Sequence, residues 1–128
     1  MNVKNFFSLA VLVFLGYGLW FFLAPQHAAD VYGYGAVTTP LSILLTKFFA
    51  ITMIAGGVMC IVARDAEKSA GRTAVLSFLG VSHLMFLYMN ARTMMSGGES
   101  SMNYVDLALN VVIGFGALYF ITQDRKAA

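Results

Sequence analysis

The chain has 128 residues, of which 59% are hydrophobic and 11% charged, with a mean hydropathy of +0.77, where a soluble domain carries about 25% charge. Its charges gather in short stretches between long uncharged runs, which is the pattern of a membrane protein, and the net charge of +2 is too small and dispersed to form the basic stripe of a nucleic-acid binder. The single cysteine, Cys60, lies in an apolar run and reads as a small buried apolar residue; it excludes an intrachain disulfide, a multi-cysteine metal site and the paired-cysteine chemistry of membrane thiol oxidoreductases.

The first apolar run, Phe6 to Ala24, follows Lys4 and stops at Pro25. It is long enough to cross a ~30 Å hydrocarbon core. A secretory signal peptide is the competing reading, but the run exceeds a usual signal core and Pro25-Gln26-His27-Ala28 makes a poor cleavage site, so we expect an uncleaved helix. From Pro25 to Pro40 lie Tyr32, Gly33, Tyr34 and Gly35 with no Lys or Arg, an interfacial loop with its tyrosine rings at headgroup level. The second run, Leu41 to Ala63, contains Lys47 and ends in a charged connector bearing Arg64, Asp65, Glu67, Lys68 and Arg72. Connectors this short join antiparallel neighbours.

The third run, Thr73 to Met94, is broken only by Ser77, Ser82, His83, Asn90 and Arg92, and the stretch Ser96-Gly97-Gly98-Glu99-Ser100-Ser101 after it is a flexible break. The fourth, Val105 to Thr122, carries Asp106 and Asn110 in its first turns and ends at Asp124, Arg125 and Lys126. The expected fold is therefore all-α: one integral membrane domain, an antiparallel bundle of four transmembrane helices at about 6–24, 41–63, 73–94 and 105–122. Lys4, Arg64, Lys68, Arg72, Arg125 and Lys126 fall on one side of this arrangement, against Lys47 and Arg92 at helix ends on the other. By the positive-inside rule both termini face the cytoplasm, or the matrix or stroma of an organelle.

At ~1.5 Å per residue, Lys47 lies about 9 Å inside the outer end of its helix. Asn90, Arg92, Asp106 and Asn110 also fall in the outer half of the membrane, and His83 near its midplane. His83 and Asn90 share one helical face with Gly80 and Leu87, and Asp106 and Asn110 share another, both expected to look into the bundle. A charge in hydrocarbon costs about 3 kcal/mol on insertion scales, so Lys47 and Asp106 must pair, snorkel or line water. One reading gathers Lys47, His83, Asn90, Arg92, Asp106 and Asn110 into an outward-facing ligand pocket. The other has Lys47 and Arg92 snorkelling, Asp106 at its helix N-terminus where the dipole favours an anion, and His83 in an interhelical hydrogen bond. The acidic and imidazole groups, His27, Asp30, His83 and Asp106, contain no histidine pair at helical spacing, so no metal is expected. Scattered methionines suit packing, and Gly56-Gly57, Gly80, Gly114 and Gly116 mark places where helix backbones approach closely.

A helix ending in Phe22-Leu23-Ala24-Pro25, a glycine-containing outer loop, and a second helix with Ala55-Gly56-Gly57 before Arg64 resemble the layout of DoxX-like and similar small bacterial four-helix membrane families. The resemblance implies a four-helix bacterial membrane protein and, because some DoxX-type proteins are membrane subunits of quinone-linked oxidoreductases, an accessory role; it carries no catalytic residue. Small multidrug exporters place an acidic residue in their first helix, where this chain has Ser8, Gly16 and Gly18, and the arginine-rich motifs of membrane glutathione enzymes are unlike Arg64-Asp65-Ala66-Glu67-Lys68. Without a catalytic motif or cofactor signature, the first expectation is a non-enzymatic subunit that packs against larger membrane proteins or further copies of itself within a bacterial or organellar bilayer. The alternative is a membrane oxidoreductase component or carrier that binds a quinone, lipid or other small molecule in the outward-facing polar pocket.

Overall fold

The computed structural model describes residues 2–97 and 100–126, with side chains described as far as Asp124 at the C-terminal end. The Gly98-Glu99 part of the expected flexible break and the side chains of Arg125 and Lys126 lie outside the described residues. The described chain is all-helical: α1 (Val3–Leu23), α2 (Pro25–Tyr32), α3 (Pro40–Arg64), α4 (Ala70–Met95) and α5 (Ser101–Lys126). Four of these, all but α2, are long and apolar enough to cross a membrane.

Each long helix extends past its apolar run at one end or both, by one residue at each end of α3 and by four at each end of α5, and polar residues cap the starts of α1, α3 and α4. Asn2 caps α1 by accepting from the Asn5 N–H at 2.8 Å. Thr39 and Ser42 form a reciprocal capping box around Pro40 at the start of α3, satisfying amides that have no partner within the helix. Ser69 caps α4 by accepting from the Arg72 N–H at 3.2 Å. Helix α4 therefore begins at Ala70, and Arg72, expected in the exposed connector, lies in its first turn and is buried.

The segment after α1 differs from the expected loop. Pro25 stops α1, but a proline is tolerated in the first turn of a helix because the amide it lacks would have no partner there, and here it opens α2. That helix ends at Gly33, whose φ of 70° is the left-handed cap conformation that glycine adopts without strain. Trp20 Nε1–H donates to His27 Nδ1 at 2.9 Å, and the Val37 amide donates to Gln26 Oε1 at 2.8 Å, folding α2 back over the end of α1.

Helix α1 packs mainly on α3, and α4 on α5, while α3 and α4 touch sparingly. A Cβ added at Gly56 would stand 2.5 Å from the Phe14 ring, one at Gly57 2.6 Å from Leu15, and one at Gly18 2.7 Å from Ile54, so α1 and α3 meet where side chains are missing. Gly116 makes the same room for Phe6, at 2.7 Å. Gly80 differs, since a Cβ there would make ordinary contact with Leu118 at 3.5 Å. The buried core joins the two pairs through Phe6, Phe7 and Phe14 with Leu76, Ile113 and Phe120; Cys60 belongs to it. Outward faces carry Leu12, Leu44, Phe48, Val62, Met85 and Phe115, all exposed.

Candidate functional site

A cavity of about 490 Å³ opens between the C-terminal half of α1, α2, the N-terminal half of α3, the C-terminal half of α4 and the N-terminal half of α5. The spacing that sets His83 beside Asn90 on α4, and Asp106 beside Asn110 on α5, brings all four into its wall. The rest is largely aromatic and aliphatic, including Tyr17, Phe21, Tyr32, Tyr34, Phe49, Met53 and Phe86. Leu45 and Met89 line it while remaining more than half exposed. They flank the sparse contact between α3 and α4, which makes one mouth of the cavity; Tyr34, 61% exposed in the loop after α2, borders another opening.

Asp106 anchors the polar part of the site. The Tyr17 hydroxyl donates to its Oδ1 at 2.6 Å and the Tyr32 hydroxyl to its Oδ2 at 2.7 Å, so each carboxylate oxygen accepts from a different helix. Burial, followed by the hydrogen bond to Asp106, pushes the Tyr32 phenol well above its ordinary value, which keeps it a neutral donor. Charge-assisted bonds this short are among the stronger kinds. They tie α1, α2 and α5 together at one point.

His83 is 3% exposed and Asn110 7%. The Leu79 carbonyl can only accept, so the 3.0 Å contact to it makes His83 Nδ1 the protonated nitrogen, with Ser82 Oγ nearby at 3.3 Å. Phe14 and Phe86 flank the ring at centroid distances of 5.3 and 6.2 Å. In the neutral ring, Nε2 is then left as an acceptor. Among the described residues this nitrogen and the side-chain amides of Asn90 and Asn110 form no hydrogen bond, and none of these atoms is sealed off, so they are open to an occupant. All three line the cavity.

The two basic candidates lie elsewhere. Lys47 places its Nζ 5.5 Å from the Phe22 ring centroid, outside the cavity wall, and Asp106 bonds to tyrosines instead. Arg92 is exposed, donates to the Tyr88 hydroxyl at 3.4 Å, and borders a separate, more open cleft with Ala91 and Met95. Among the described residues, no three of His, Cys, Asp and Glu converge as a metal site would require. His27 is held by Trp20, and Asp30 accepts from Gln26 at 2.6 Å.

Sequence reasoning did not find Tyr17, Tyr32 or the aromatic wall. Tyr17 sits one helical turn above Val13, also in the wall, but its apolar neighbours hid it among core residues. Tyr32 was legible only as an interfacial ring, because the loop expected around it is a helix that turns the phenol inward.

At the opposite end, Lys4 Nζ and Asp65 Oδ1 are 3.2 Å apart at the surface. That ammonium, aided by Arg64, holds the Asp65 carboxyl below the usual range. Beside them Arg72 and Asp124 form a two-pronged buried pair, the guanidinium Nε–H donating to Oδ2 at 2.9 Å and a second N–H to Oδ1. The Arg72 fork also reaches the Ala66 carbonyl at 3.1 Å, so it joins the connector to both α4 and α5. No family model matches the chain, and no curated protein or solved structure matches it either.

Proposed function

We propose that the chain crosses a membrane four times as antiparallel helices, with both ends on the cytoplasmic or matrix side, and binds a small lipid-soluble molecule in the cavity, which lies in the outer half of the bilayer. The observation that carries this reading is the cavity lining: apolar walls around two buried polar side chains, His83 and Asn110, that hold uncommitted hydrogen-bonding atoms. Ligand sites are mostly apolar concavities of roughly 300–1,000 Å³ with a few placed polar groups, and 490 Å³ falls inside that range.

The contacts of Lys4 with Asp65 and of Gly18 with Ala50 and Ile54 run in opposite order along α1 and α3, which supports antiparallel packing. Those of Arg72 with Asp124 and of Gly114 with Leu84 do the same for α4 and α5. Lys4, Arg64 and Arg72 share one end of the molecule, as a positive-inside orientation requires. The mouth between α3 and α4 then faces lipid laterally, giving a lipid-soluble molecule a route that avoids water. The accessory-subunit reading, with its layout similar to DoxX-like proteins, rests on exposed apolar faces that a bilayer satisfies equally well.

Native mass spectrometry of the protein extracted in mild detergent tests the proposal. A small molecule bound at about one per chain, and lost when Asn90→Phe fills the cavity, is the expected outcome. A stoichiometric larger protein partner with the cavity empty would instead establish the subunit role.

A further inference from the structure

Resting on the reading of the cavity as a small-molecule site, we infer that its ligand is a lipophilic organic cation: an ammonium-type group seated against Asp106, with an apolar arm among the aromatic side chains. Among the described residues, Asp106 is the one acidic side chain in the cavity wall, and no Lys or Arg lines it. The intramembrane lysine that could have neutralised it lies against Phe22. Two phenol donors stabilise the carboxylate but bring no positive charge. In a partly desolvated site a counter-charge is worth far more than in water, and with His83 the one basic side chain in the wall a cationic occupant would supply it.

The walls suit the same chemistry. Tyr17, Phe21, Tyr32, Tyr34, Phe49 and Phe86 line the cavity, and aromatic faces attract cations, more so when both are desolvated. Tyr32 and Tyr34 stack with centroids 5.2 Å apart and planes 17° from parallel, giving a flat aromatic surface beside the carboxylate. The uncommitted groups that remain are His83 Nε2, an acceptor, and two carboxamides, which accept through oxygen and donate through nitrogen without carrying charge. An anionic or phosphate-bearing ligand would find the carboxylate repulsive and no fixed cation to meet it.

The test uses the full chain in mild detergent with phenyltrimethylammonium and its uncharged isostere tert-butylbenzene, which differ in charge and hardly in shape. The single tryptophan, Trp20, has its ring 6.1 Å from those of both Tyr17 and Tyr32, so its fluorescence reports occupancy, and thermal stability gives a second readout. The cation is expected to bind saturably and at least ~10-fold more tightly than the isostere, about one tenfold step of affinity. Asp106→Asn should remove that preference while leaving isostere binding in place. Equal binding of both probes, or an unchanged preference in Asp106→Asn, overturns the cation assignment and leaves the small-molecule site standing. Failure of the wild-type protein to bind either probe overturns the small-molecule site together with the cation assignment. Should Asp106→Asn fail to fold, as judged by circular dichroism, the ratio of the two probes on the wild-type chain decides alone.

Discussion

Asp106 and Lys47 are both charges within apolar runs, and they are stabilised in different ways. Asp106 accepts from Tyr17 and Tyr32, whereas the Lys47 ammonium lies over the Phe22 ring. Hydrogen bonds to a charged group contribute about 1.5–3 kcal/mol each. Tyr32→Phe should therefore lower stability in detergent by about that amount, and Tyr17→Phe by somewhat less because that residue is only half-buried. Lys47→Met should stay within about 0.5 kcal/mol, and its effect should add to that of Asp106→Asn, since the two side chains do not touch; thermal or denaturant unfolding of the single and double variants checks this. Arg72 and Asp124 present the opposite case, with side chains only 7% and 8% exposed. Removing either alone leaves a buried charge, so Arg72→Met or Asp124→Leu should cost about 3–5 kcal/mol, and the double variant should recover most of it. A double-mutant cycle on the purified protein measures the difference, and simple additivity would show that the pair is not coupled.

At the scale of elements, glycine positions decide how closely α1 and α3 approach. Gly56→Ala pushes a methyl group into the Phe14 ring, and overpacking of this kind costs about 1–3 kcal/mol. Gly16 has nothing within 4 Å of an added Cβ, so Gly16→Ala should be neutral or stabilise by up to ~1 kcal/mol through helix propensity alone. Unfolding midpoints of the two variants in one detergent give the comparison, and equal losses would mean that the α1–α3 contact is not set by these glycines. Gly35 would be a poor reference for it, because its φ of +79° strains any substitution regardless of space. The sequence pointed to close packing at Gly56, Gly57 and Gly116. It could not distinguish these from Gly80, or single out Gly18, because crowding depends on which side chain of the neighbouring helix lies opposite. Helix α2 was hidden for a local reason: Pro25 signals both the end of one helix and the first turn of another, and only the cap at Gly33 and the bonds to Gln26 and His27 show that both apply.

For the whole molecule, the distribution of charge predicts sidedness. In a Cys60→Ala background, Lys68→Cys, between α3 and α4, and Thr38→Cys, before α3, occupy exposed positions that should react with a membrane-impermeant thiol reagent from opposite sides of intact vesicles. Labelling of both from the same side would contradict four passes. The presence and order of four long apolar helices, each to within a few residues of its ends, were determined by the sequence itself, because apolar length is a property of each segment taken alone. The pairing of Asp106 with two tyrosines, the exclusion of Lys47 and Arg92 from the cavity, and the clamp between Arg72 and Asp124 were decided by the tertiary structure. The two pairings join residues 52 to 89 positions apart in the chain, and helical periodicity gives the face on which a side chain lies but not the rotation and tilt that determine which other face it meets.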